Sequence, residues 1–282
     1  MIVDGEIHLF RLETLITRIV SYRTYVAWVD GLLIDSGFRN ARRHLIAALD
    51  RRSVDQVVNT HSHEDHCGNN HTVAERFGAT LHAPVESLYA LEHPEIECRQ
   101  LYSRVVWGMP VPSRAQPLGD SIKTERFRFE VIPTPGHSRD HVCFYERERG
   151  WLFAGDLFLG VKVRVGRQYE NAADHIASLR RILALEPRVF VCYHRGPIED
   201  PTAAVRTKLA WLEEMRGQAL DLSAAGVPTP VIARRLLGRE PFSYKLISSG
   251  DFSKRKLVAS LLRPPGQGYR DDAPRLLAAA SG

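Results

Sequence analysis

Short apolar runs rich in β-branched and aromatic residues recur along this chain at residues 54–60, 79–83, 127–132, 151–153 and 188–192. Each predicts a strand. Residues 14–35 also read as strand-like, broken by a turn at Asp30-Gly31. Between these runs the apolar period lengthens to that of a helix. Residues 40–52 place Leu45, Ile46 and Leu49 on one face, residues 71–77 continue the pattern, and Leu88, Tyr89 and Leu91 come after a helix start at Pro84. Residues 171–185 put Ile176, Leu179, Ile182 and Leu183 on a buried face. Strands alternating with helices, without internal repeats, predict an α/β protein.

Two stretches depart from this rhythm. Residues 95–118 carry Tyr102, Trp107, Met109 and the prolines Pro110, Pro112 and Pro117 with weak periodicity. Long irregular segments of compact domains are often lids or binding loops, so Tyr102 and Trp107 are candidate substrate contacts, with a packed surface loop as the alternative. After Pro201 the pattern becomes helical only, at residues 203–222, Thr229–Leu237 and 252–262, with a turn at residues 226–230. The expected division is a first unit at residues 1–200 and a helical region at 201–282, its Pro-, Gly- and Ala-rich tail poorly ordered from Arg263 onward.

Composition adds limits. The 282 residues are 44% hydrophobic and 25% charged, an ordinary globular balance. No apolar run approaches a membrane span, and the first residues lack the basic and apolar regions of a signal peptide. Cys67, Cys98, Cys143 and Cys192 are scattered without CxxC spacing, which favours reduced thiols in a cytoplasmic protein. From Asp200 onward 13 Lys or Arg face 8 Asp or Glu, an excess of five that equals the formal charge of the whole chain. A basic helical region of this kind can contact RNA or another polyanion; packing against the first unit or dimerisation is the stronger reading, and oligomeric state is not legible.

The chemistry concentrates in His61-Ser62-His63-Glu64-Asp65-His66. Imidazole and carboxylate are the ligands zinc takes where a site stays open to water. The run leaves a predicted buried strand, and extended alternation puts His61 and His63 on one side, able to reach one ion. Asp65 and His66 lie further into the turn and can face a second. Three downstream segments repeat the arrangement of an apolar strand delivering a ligand-type residue beside glycine: Thr134-Pro135-Gly136-His137, Ala154-Gly155-Asp156 and Tyr193-His194-Arg195-Gly196. A solvated polar loop would account for one such segment, not for four.

With Asp35 in Leu33-Ile34-Asp35-Ser36-Gly37 added, the ordered set resembles the metallo-β-lactamase-fold hydrolase superfamily over roughly the first two hundred residues. The resemblance implies a four-layer αββα sandwich as a catalytic domain at residues 1–200, with a small helical, winged-helix-like C-terminal appendage at 201–282. It implies one metal on His61, His63 and His137, a second on Asp65, His66 and His194, Asp156 bridging, and Asp35 supporting the site from behind. It implies two Zn2+, with iron or manganese as alternatives, because the same donors suit several metals. A carboxylate at Asp156 resembles the glyoxalase-II-like branch, whereas zinc β-lactamases usually have cysteine or serine there. Histidine at His63 is unlike the diiron flavoproteins of the fold, which carry glutamate. Glu64 falls between ligand positions and is expected to point away. His141 matches a histidine common four residues after the His137 position, but Arg139-Asp140 replaces the usual small residues, leaving it either a support for the site or a core hydrogen bond.

The implied activity is hydrolysis of a small carbonyl substrate, such as a thioester or lactone, by a metal-bridged hydroxide, with Asp65 orienting the nucleophile and receiving its proton. A phosphodiesterase or ribonuclease and an iron-dependent sulfur oxygenase are the alternatives. Arg164, Arg167 and Tyr169 could recognise an anionic group, with a solvated basic turn as the plainer reading. The remaining histidines, His8, His44 and His175 among them, read as ordinary surface or core residues.

Overall fold

A computed structural model describes residues 1–20, 22–240 and 248–269. The first sheet contains β1 (Ile2–Val3), β2 (Ile7–Leu12), β3 (Thr24–Val29), β4 (Leu32–Ile34), β5 (Gln56–Val58), β6 (Thr80–Ala83) and β7 (Gln116–Pro117), hydrogen-bonded in that order. Pairing is antiparallel from β1 to β4 and parallel from β4 to β7. The second sheet contains β8 (Ser121–Lys123), β9 (Arg128–Pro133), β10 (Val142–Glu146), β11 (Trp151–Phe153), β12 (Val189–Cys192) and β13 (Gly196–Pro197). Its only parallel pair among the described strands is β11 with β12.

The inner faces of the sheets pack together through Ile7, Leu32, Val58, Phe129, Phe144 and Trp151, all at most 1% exposed. Burying side chains of this size contributes about 1.5–3 kcal/mol each. The outer face of the first sheet is covered by α2 (Arg42–Ala48) and α4 (Asn70–Phe77), through Leu45, Leu49 and Val73. The outer face of the second is covered by α7 (Ala172–Leu183), whose Ile176, Leu179 and Ile182 are buried as the periodicity predicts. Helix, sheet, sheet and helix give the expected αββα sandwich.

Shorter helices complete the first two hundred residues: α1 (Leu15–Ile19), α3 (Glu64–Cys67), α5 (Leu88–Glu92) and α6 (Leu101–Val106). The first corrects the strand-like reading of residues 14–20: Thr14 and Thr17 form a reciprocal capping box, which sets a helix start despite the β-branched composition. The irregular stretch also proves to be structured. Trp107 is buried and packs against Tyr22 with the rings tilted and their centroids 4.3 Å apart, while the Tyr102 hydroxyl donates to Asp251 at 2.8 Å. Both side chains are engaged in packing, as in the alternative reading of this segment.

Beyond residue 200 lie α8 (Pro201–Ala224), α9 (Thr229–Leu237) and α10 (Lys254–Leu262). Asp200 accepts from Ala203 N, Pro201 opens the first turn of α8, and Ser253 accepts from Lys256 N at the start of α10. Val205, Leu212, Met215 and Ala219 of α8, Ile232 of α9 and Val258 and Leu261 of α10 join the same apolar cluster as α7. Part of the basic excess is consumed internally, since Lys254 donates to Arg239 O at 2.7 Å and Lys256 to Gly250 O at 2.8 Å. The start of the tail is pinned: Arg263 donates to Glu170 O and Tyr269 to Asp174, both at 2.6 Å. The rest of the tail read as poorly ordered, residues 270–282, lies outside the described residues, as do residues 241–247.

Candidate metal centre

Parallel pairing of β4 with β5 and of β11 with β12 brings the C-terminal ends of four strands to one edge of the sandwich. Asp35 follows β4, His61 to His66 follow β5, Asp156 follows β11 and His194 follows β12, while His137 leaves the end of β9. All seven expected ligand residues converge there. The ligand atoms of His61, His63, His137 and Asp156 lie within 4.8 Å of one another, and those of Asp65, His66 and His194 form a second such group.

Within the first group, His63 Nδ1 stands 2.8 Å from His61 Nε2 and 3.1 Å from His137 Nε2. Donors bound tetrahedrally to one zinc at 2.0–2.1 Å would be separated by about 3.3 Å, so this spacing fits a single ion among the three rings. Asp156 reaches both groups. Its Oδ2 is 3.3 Å from His137 Nε2, and its Oδ1 is 3.4 Å from His66 Nε2 and 3.2 Å from His194 Nε2. Asp156 Oδ1 and His66 Nε2 are fully buried without a hydrogen-bond partner among the described residues. Buried polar atoms are costly to leave unmatched, and a cation between them satisfies both.

Four of the five rings, all but His137, are aimed by what their other nitrogen touches, as metal-binding histidines usually are. His61 Nδ1 faces Thr60 Oγ1 at 3.0 Å, His66 Nδ1 faces Asp35 Oδ2 at 2.8 Å, and His194 Nδ1 faces Arg23 O at 2.8 Å. His63 is the inverse case, with Nε2 2.8 Å from the Tyr169 hydroxyl, itself held by Arg167 at 2.6 Å. With the proton on Nε2, its Nδ1 lone pair faces the cluster. Asp35 accepts from both Thr60 N and Thr60 Oγ1, at 2.8 and 2.9 Å. It does so with φ of +58°, a left-handed conformation that aspartate tolerates better than most residues.

Burial, followed by neighbouring imidazoles and Arg167, holds His61, His63 and His137 well below the ordinary histidine range. They are therefore neutral and can offer lone pairs. Burial opposes the charge on His66 and His194 as well, but Asp35, Asp156 and Asp65 around His66, and Asp156 and Asp65 beside His194, outweigh it and raise both. Burial would raise Asp156, yet the His194 and His66 rings hold it well below the carboxylate range.

The open reading of His141 resolves toward the site: its Nε2 accepts from Asp156 N at 3.0 Å, and its Nδ1 pairs with Thr134 Oγ1 at 2.8 Å. Gly155 makes this approach possible, because a Cβ there would stand 2.7 Å from His141 Nε2, and its φ is +47°. Asp140, unusual beside His141, anchors the histidine loop by accepting from Ser62 N at 2.8 Å and from Ser87 Oγ at 2.7 Å. Arg167 and Tyr169 are buried against His63, so the solvated basic turn holds only for Arg164, which is exposed. Glu64 is buried and belongs to neither ligand group.

Tyr22, which no sequence signal marks, enters the site. Its hydroxyl donates to Asp65 Oδ2 at 3.0 Å and lies 2.8 Å from His194 Nε2. Burial and the charges of Asp65 and Asp156 push it well above the usual tyrosine range, so it remains a donor. Asp65 is held from the backbone side too, by the Tyr193 hydroxyl on its carbonyl. The groups open into a cavity of about 640 Å³ whose far wall includes Leu159, Lys208, Leu212 and Leu257. Among the described residues no helix is long and apolar enough to cross a membrane.

Residues 29–194 match the family model of the metallo-beta-lactamase superfamily. The chain is similar to a hydroxyacylglutathione hydrolase of Rhizobium meliloti, 28% identical over 77% of this chain and 78% of that one. It is also similar to a beta-lactamase-like protein 2 homolog of Drosophila melanogaster, 27% identical over 62% of this chain and only 58% of the fly protein. Among solved structures, a beta-lactamase domain protein from Burkholderia ambifaria shares the fold at a TM-score of 0.71 and 18% identity, covering 93% of this chain and 86% of that one. A metallo-beta-lactamase family protein from Thermus thermophilus does so at a TM-score of 0.65 and 23% identity, covering 91% of each chain. With its sandwich and its His/Asp cluster at the strand ends, the chain belongs to the metallo-beta-lactamase superfamily.

Proposed function

We propose that this protein is a dinuclear metal-dependent hydrolase of small carbonyl substrates, thioesters or lactones foremost. Residues 1–200 form its catalytic unit and residues 201–282 a helical region closing one side of the pocket. His61, His63 and His137 would hold one cation, Asp65, His66 and His194 the other, and Asp156 would bridge them. The observation that carries this reading is the Asp156 carboxylate, whose two oxygens stand 3.2–3.4 Å from nitrogens of both groups. Zinc is the expected metal, with iron or manganese compatible with the same donors.

When bound, two such cations would supply a water of lowered pKa and polarise the substrate oxygen. The remaining work falls to the chain. Asp65, steadied by Tyr22 and by the Tyr193 hydroxyl on its carbonyl, orients the attacking water and receives its proton on the carboxylate. The Tyr22 hydroxyl, kept protonated, gives its hydrogen bond to Asp65 at the cavity wall. Ser62 and Cys67 take no part: burial and then Glu64 push the Cys67 thiol well above its usual range, and its Sγ donates to Ser62 O and His63 O at 3.2 Å.

Support for a thioester comes from the Rhizobium meliloti relative, whose name describes hydrolysis of an acyl-glutathione, and from the carboxylate at Asp156. A cytoplasmic location accords with four free, buried cysteines.

Metal content of the purified protein beside Asp156→Ala, with thioester, lactone and phosphodiester substrates in parallel, tests the reading. About two zinc ions per chain are expected, with fewer in the variant and hydrolysis lost. Turnover of the phosphodiester alone would move the protein to the nuclease class. A single iron without hydrolysis would overturn the hydrolase assignment.

A further inference from the structure

Four consecutive backbone carbonyls come directly after Asp156, and each is held by a side chain from elsewhere in the fold. His175 Nε2 lies 2.7 Å from Leu157 O, and Arg195 Nε donates to Leu159 O at 3.1 Å. Lys208 Nζ donates to Phe158 O at 2.6 Å and to Gly160 O at 3.0 Å. The segment is irregular, and Leu159 sits at φ +48°, a strained conformation for a residue of its size that persists only where surroundings impose it.

Lys208 is the unexpected member. It belongs to α8, beyond the residues that supply the ligands, and its side chain is 0% exposed. No carboxylate lies within ion-pair distance of it among the described residues. Among the described residues its hydrogen bonds go to the two carbonyls, its Nζ stands 5.7 Å from the Phe158 ring centroid, and it borders the cavity. A buried ammonium without a counter-ion is costly. The other buried side chains on that face of α8 are Val205, Leu212, Met215 and Ala219, so an apolar residue would fit the helix pattern. Packing therefore does not account for a lysine here, whereas holding the Asp156 segment does.

We infer that Lys208 is a positioning residue for Asp156: from the helical region it fixes the segment behind the bridging carboxylate, so the metal centre depends on residues that supply no ligand. His141 holds Asp156 by its own amide, and Lys208 holds the next turn of chain. The inference rests on the reading of Asp156 as the bridging ligand.

The test uses the full chain and Lys208→Met, which preserves length and apolar bulk while removing the donors. Zinc affinities from chelator competition and the visible spectrum of the cobalt-loaded protein are the readouts, with kcat and KM measured alongside. The weaker zinc is expected to bind about 10-fold less tightly or worse, in the range found when residues behind ligands are removed. The cobalt spectrum should change with it. Met215→Ala, two turns further along the buried face of α8 and without a donor to the segment's carbonyls, should lose stability but keep wild-type zinc affinity and spectrum. If Lys208→Met does not fold, Lys208→Gln, which keeps one donor group, should show the same loss at smaller size. Wild-type affinity and spectrum in the lysine variant, or an equal loss in Met215→Ala, overturns the inference while leaving the dinuclear reading intact. Failure of the wild type to bind two cations overturns that reading and the inference together.

Discussion

The loop after β5 and the helix α8 border the same cavity, yet they bury charge in different ways. In the loop, His61, His63, Glu64, Asp65 and His66 are all buried within six residues, four of them ligand candidates facing one another. Most are tied on the far side by Thr60, Asp35, Tyr169 or Tyr22. On α8 one charged residue, Lys208, is buried among Val205, Leu212, Met215 and Ala219, and it reaches away from its own helix to another segment's carbonyls. The loop concentrates charge that a cation can neutralise; the helix isolates a single charge and neutralises it with backbone dipoles. On the proposed reading, the dense polar cluster is where chemistry is done, and the lone buried charge on an apolar face holds that chemistry in place.

Removing a ligand should separate the two regions most sharply. His66→Ala is expected to lower kcat/KM by more than about 100-fold, beyond the 10–100-fold typical of residues behind ligands, with little loss of secondary structure by circular dichroism. Asp35→Asn, which keeps shape but weakens the support of Thr60 and His66, should fall within that roughly 10–100-fold range for zinc affinity. On the helix the order reverses. Met215→Ala should cost about 2–5 kcal/mol of stability in denaturant titrations through the cavity it leaves, without changing metal stoichiometry. A ligand variant that unfolds the protein, or a Met215 variant that empties the metal site, would break the comparison.

The smallest expected effect is a pH signature. Burial lowers Lys208 from 10.5 to about 8, with Cys192, Glu170 and Asp156 opposing the shift. Between those values the unfolded chain holds a proton that the folded chain lacks, so this group adds stability as pH rises. The wild type should therefore gain on Lys208→Met by up to about 3 kcal/mol from pH 8 to 10.5, with a flat difference below pH 8. Paired denaturation curves across that range measure it, and a wild-type stability that falls relative to the variant as pH rises would contradict the burial of the lysine as a charged group.

Much of the candidate centre is legible in the sequence because its candidate ligands sit at the ends of strands that the apolar pattern marks. His61 to His66, His137, Asp156 and His194 each follow such a run, and parallel pairing then brings the ends together. The residues that aim the ligands are harder to read. Asp140 acts on Ser62 across 78 residues, Tyr22 on His194 across 172, and Lys208 on Phe158 across 50; nothing local in the sequence states such a contact. One signal is available: Lys208 stands at i+3 from Val205 and i−4 from Leu212, on the apolar face of its helix. Helix α1 escapes the pattern because β-branched composition hides a capping box that depends on side-chain hydrogen bonds.

The most direct measurement is a zinc-edge anomalous difference map from crystals of the zinc-loaded protein. Two peaks about 3.5–4 Å apart are predicted, one among His61, His63 and His137, the other among Asp65, His66 and His194, with the Asp156 carboxylate between them. A single peak, or none at either group, would contradict the dinuclear account.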